Sequence, residues 1–134
     1  MGEINKDKAI PYGKFTALVN LGVSFEKVAD YSTALKISDL LLKNSASLTG
    51  ENRFIVNLSY GRILTKLNRY QEAVPYIEIA LKLAPNERYE VYLRALLIES
   101  LAYLNDFERA KKEISIIESQ DIYKSDQGLS LIHI

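Results

Sequence analysis

Apolar residues recur at spacings of three and four along most of this chain, and short polar or small stretches interrupt the recurrence at regular intervals. That spacing puts one apolar stripe on each of a series of helices. Phe15, Leu18, Leu21, Gly22, Phe25 and Val28 stripe a first helix, for which Pro11 suits the opening turn because its missing N–H is not needed there. Tyr31, Ala34, Leu35, Ile37, Leu41 and Leu42 stripe a second, which Asp30 begins as an N-cap and which stops near Lys43-Asn44. Phe54, Leu58, Gly61, Leu64 and Leu67 form a third stripe, and Tyr70, Ala73, Val74, Ile77, Ala80 and Leu81 a fourth. Pro75 falls inside the fourth helix, close enough to its start for the helix to survive. Val91, Leu97, Ile98, Leu101 and Leu104 mark a fifth helix, and Phe107, Ala110, Ile114 and Ile117 a sixth, after which the pattern thins.

The helices come in pairs, because one junction is written three times. Leu67-Asn68-Arg69-Tyr70-Gln71-Glu72-Ala73 is followed 37 residues later by Leu104-Asn105-Asp106-Phe107-Glu108-Arg109-Ala110 and preceded by 39 residues by Val28-Ala29-Asp30-Tyr31-Ser32-Thr33-Ala34. Each copy closes one helix, turns, and opens the next with an aromatic residue and, three positions on, an alanine. A period of roughly 20–50 residues signals stacked units that bury a core only against their neighbours.

Composition narrows the function. Seventeen basic residues balance seventeen acidic ones, so no long-range field gathers phosphate backbones or anionic lipid. Neither nucleic acid nor membrane is an expected direct partner. The absence of cysteine removes disulfides, thiolate zinc sites and thiol nucleophiles. The single histidine, His133, is next to last, so neither catalysis nor a metal or cofactor site is expected. Residues 1–10 are polar and read as a flexible segment with no apolar signal core, which makes the expected location cytoplasmic. Residues 125–134 read as a C-terminal tail, either the start of a further helix cut short or a non-native addition.

The unit pattern resembles the tetratricopeptide repeat. The middle unit carries Asn57, Tyr60-Gly61, Leu64, Ala73, Ile77 and Pro85 at the family's spacings. The first offers Leu18, Leu21-Gly22, Phe25, Ala34 and Ser38, and the third Arg94, Leu97-Ile98, Leu101, Ala110 and Ile114. The resemblance implies an all-α, right-handed α-solenoid over residues 11–124, with repeats at about 15–48, 54–87 and 91–124. Gly22 and Gly61 are expected to let paired helices approach, and extra residues around Thr49–Arg53 and Arg88–Glu90 to lengthen connections between units.

Proteins of this family line a concave groove with their first helices, and the groove takes a peptide or partner helix. The resemblance therefore implies protein–protein interaction and no catalysis. Transferred unit by unit, the groove positions are Val19, Val23 and Glu26, then Leu58, Ser59 and Arg62, then Tyr92, Leu96 and Glu99. Val19, Val23, Ser59, Tyr92 and Leu96 stand where the family's carboxylate clamp has cations and amides, so binding of an acidic chaperone tail is disfavoured. Arg62 is expected either to hold a ligand or to pair with Glu99. An alternative is a ligand-sensing or dimerisation fragment of a larger regulator, self-associating through an uncovered face of Phe107, Ile114 and Ile117.

Overall fold

A computed structural model describes residues 12–44 and 48–120. The expectations for residues 1–10, for the tail 125–134 and for His133 lie outside them. The described residues form six helices and no strand: α1 (Tyr12–Lys27), α2 (Tyr31–Leu42), α3 (Gly50–Lys66), α4 (Tyr70–Leu83), α5 (Glu87–Tyr103) and α6 (Phe107–Ser119). Consecutive helices pack in sequence order, and α3 also meets α5 directly. The architecture is an all-α helical repeat of three antiparallel pairs.

The thrice-written junction makes one turn three times over. Ala29, Asn68 and Asn105 all adopt the left-handed region, with φ of 61°, 61° and 64°. In each copy the amide of the following residue reaches back five positions, Asp30 to Phe25, Arg69 to Leu64 and Asp106 to Leu101, so orphan carbonyls of the closing helix are satisfied. Asparagine tolerates this conformation better than alanine does, so the first turn carries strain that the other two avoid. Asp30 and Asp106 then cap the next helix, accepting from the amides of Thr33 at 3.2 Å and Arg109 at 3.3 Å. Arg69 occupies the equivalent place before α4 and provides no side-chain cap; its guanidinium bonds Glu72 instead.

The helix pairs bury their stripes in two clusters. Phe15, Leu41, Leu48 and Val56 form the smaller one between the first pair and α3. Phe54, Leu58, Leu64, Ala73, Ile77, Ala80, Leu93, Leu97, Leu101 and Ala110 form the larger, which runs from α3 to α6. The alanines of the pattern, Ala34, Ala73 and Ala110, are all buried. Val56, Ile63 and Leu93 are buried too, although they stand outside the predicted stripes. These residues lie on α3 and α5, which have packed neighbours on more than one side and therefore bury more than one face.

Several expectations need correction. Leu21 and Val28 are exposed (47% and 72%), since α1 packs on fewer neighbours than α3 does and Val28 falls in the turn beyond its end. A Cβ on Gly22 would sit 3.5 Å from the Ile37 side chain, an ordinary contact, so only Gly61 is a close-approach glycine: there Ile77 Cγ1 would be 2.9 Å away and its backbone nitrogen 3.3 Å. The extra residues at Thr49–Arg53 and Arg88–Glu90 do not lengthen loops. Thr49 caps α3 by accepting from Asn52, and Asn86 caps α5 by accepting from Tyr89, so the residues that follow each cap form an additional helical turn. Pro75 is accommodated within a continuous α4, on its exposed side.

Candidate functional site

Glu26, Arg62 and Tyr92 stand near the middle or end of α1, α3 and α5, one from each helix pair. Arg62 donates from Nε to Glu26 Oε1 at 2.8 Å and from Nη2 to Oε2 at 3.0 Å, a two-pronged bridge between the first and second pairs. Both side chains are largely withdrawn from water, 23% and 14% exposed. Burial pulls the Arg62 pKa down, but the Glu26 carboxylate and the nearby Tyr92 phenol outweigh it, and the guanidinium stays above its ordinary value. Arg62 is thus a permanently charged group whose charge is met within the protein. The expected alternative pairing with Glu99 is not formed. Glu99 is exposed and acts electrostatically on Tyr70, raising its phenol pKa after the larger effect of burial.

The transferred groove positions divide between two places. Val19, Val23, Glu26 and Ser59 line a crevice between the first pair and α3, together with Gly22, Ile37 and Val56; at about 10 Å³ it has room for at most one water. Leu58, Arg62 and Tyr92 line an open cavity of about 400 Å³, completed by Asn86, Arg88 and Tyr89. This volume falls in the roughly 300–1,000 Å³ range of ligand pockets. Leu58 is buried in the core at 8% exposure, so it forms a wall and cannot extend as an anchor. Leu96 is half-buried against the same core and, like Glu99, does not line the cavity.

Asn86, Arg88 and Tyr89 were absent from the transferred set. They belong to the extra first turn of α5, the segment that spacing alone places in a connection. The signal that finds them is Asn86 itself: an N-cap residue three positions before Tyr89 marks where the helix begins. Tyr89 is then held edge-on to Phe54, with ring centroids 5.1 Å apart, which fixes one side of the cavity to the core.

The remaining polar links are structural. Arg94 bonds Glu113 at 2.5 Å within the third pair, Arg109 bonds Glu78 at 2.5 Å between the second and third, and the Tyr60 hydroxyl donates to Asp39 at 3.3 Å between the first and second. Asn57, which fits a glycosylation pattern with Ser59, is buried and donates to the Arg53 carbonyl at 2.9 Å. No helix among the described residues is long and apolar enough to cross a membrane.

A family model described as the tetratricopeptide repeat matches residues 59–89, from the middle of α3 through α4 into the first turn of α5. The match covers Gly61, Ala73, Ile77 and Pro85, and the six helices are consistent with repeats of this kind on either side. Neither the curated proteins nor the solved structures give a match.

Proposed function

With a tetratricopeptide repeat at its centre, we propose that the chain is a protein-interaction module that binds a segment of a partner protein on the surface built by α1, α3 and α5. Such repeats generally serve as protein–protein interaction modules and are typically non-catalytic. The observation that carries the reading is the cavity between α3 and α5, where Tyr89 and Tyr92 offer apolar rings with polar tips beside Arg62. Tyrosines of this kind supply contact area at low cost in conformational freedom. The test is selection from a displayed peptide library. Peptides recovered on the wild-type chain should lose at least about tenfold in affinity, 1.4 kcal/mol, on Tyr92→Ala. Equal binding by wild type and variant would remove the cavity from the function.

A second reading, as a dimerising or sensing part of a larger regulator, is favoured by α6. Phe107, Ile114 and Ile116 are exposed there at 55%, 42% and 38%. Ile117, expected on that face, is instead buried at 5%. Sedimentation velocity over a range of concentration separates the readings, because association through α6 gives a mass that rises with concentration.

A further inference from the structure

We infer that the cavity between α3 and α5 selects an uncharged apolar or aromatic side chain and disfavours a carboxylate, and that Glu26 is the residue that sets this preference. The inference rests on the interaction-module reading and specifies the chemistry of its ligand. An arginine in a pocket ordinarily invites an acidic ligand through two parallel hydrogen bonds. Here that fork is already used. Nε and Nη2 of Arg62 are both committed to Glu26, at 2.8 and 3.0 Å, and neither partner is freely solvated. A ligand carboxylate at Arg62 would have to displace Glu26 or lie beside it, leaving two like charges in a partly desolvated place.

The rest of the lining points the same way. The first turn of α5, whose exposed amides would otherwise attract an anion, carries Glu87 and Glu90, and Asn86 already accepts from the Tyr89 amide. Arg88, the other cation of the lining, is exposed and has interactions of its own. What remains for a ligand is Leu58 and the two tyrosine rings, since the Tyr92 phenol also acts on the guanidinium. That combination suits an aromatic or aliphatic group whose neighbouring peptide carbonyl accepts from a tyrosine hydroxyl.

The experiment compares two small probes of the same size and side chain, the neutral N-acetylphenylalaninamide and the anionic N-acetylphenylalanine, titrated into the protein while the backbone amide resonances of Leu58, Tyr89 and Tyr92 are followed. The wild-type chain should bind the amide about tenfold more tightly than the carboxylate. Glu26→Gln, which keeps a hydrogen-bond acceptor on Arg62 but removes the charge, should abolish or reverse that order. A wild-type preference for the carboxylate overturns the inference without any substitution being made, and leaves the interaction-module reading intact if library peptides still bind. An unchanged order in a folded Glu26→Gln protein also overturns it. If neither probe moves the three resonances and no library peptide binds, the interaction-module reading fails as well.

Discussion

The middle helix pair and the third pair have similar sequence patterns and different surroundings. Ile77 and Ile114 occupy the same position of the pattern, four residues after the small alanine, yet Ile77 is fully buried and Ile114 is 42% exposed. Tyr70 is half-buried at the start of α4, whereas Phe107, its counterpart at the start of α6, is 55% exposed. The middle pair has helices packed before and after it, and the third pair has helices packed before it and none after it among the described residues. A repeat buries its second helix only when another unit follows, so burial here is a property of position in the stack.

Ala73→Arg should have the largest effect, because it overfills a site of zero exposure and strands a charge there. A loss of at least about 3 kcal/mol in urea unfolding is expected. An unchanged midpoint would refute the equivalence of the alanine positions that underlies the comparison.

Arg62→Glu is expected to cost roughly 3 kcal/mol, since it leaves Glu26 unpaired and adds a second carboxylate beside it. The sequence alone presents Arg62 as a groove residue that holds a ligand or pairs with Glu99, and the bond to Glu26 makes it a structural link as well. Denaturant unfolding of the single variant and of Arg62→Glu combined with Glu26→Arg measures the coupling, which should restore much of the loss.

Two glycines sharpen the contrast between the first and middle pairs. Gly61→Ala drives a methyl group to 2.9 Å from Ile77 Cγ1 and should destabilise by about 1–2 kcal/mol even after the gain in helix propensity. Gly22→Ala meets nothing closer than 3.5 Å and should instead stabilise by about 0.5–1 kcal/mol. Thermal unfolding of both distinguishes a glycine required by packing from one that is merely present.

An effect as small as that of Gly22→Ala is expected at the first turn. Ala29 holds a φ of 61° where the other two turns have asparagine, so Ala29→Gly should raise stability by about 1 kcal/mol. The change touches no ion pair or core contact, so a melting temperature that falls would show that this turn differs from its counterparts.

Much of the fold was legible because periodicity and turn chemistry are local. The three junctions, the Asp30 cap and the alanine positions could be read from the sequence, and all three turns close by the same hydrogen bonds. The stripes of α3 and α5 were legible only in part. Val56, Ile63 and Leu93 lie off the predicted face and are buried because further helices cover those sides. The candidate site was less legible still. Transfer by repeat position brought Leu58, Arg62 and Tyr92 to one cavity but missed Asn86, Arg88 and Tyr89, which the extra turn of α5 adds.

Sequence by itself determined how the helices pair and where they turn within each pair, since capping, φ preference and a 3.6-residue period act within a few residues of one another. Tertiary structure alone decided which apolar positions are covered, that Gly61 sits at a close helix approach while Gly22 does not, and that Arg62 answers to Glu26, 36 positions away, and not to Glu99. Those outcomes depend on how far apart and at what rotation the helices settle. An ion pair between helices forms or fails over a few ångströms, and no local pattern in the chain encodes that distance.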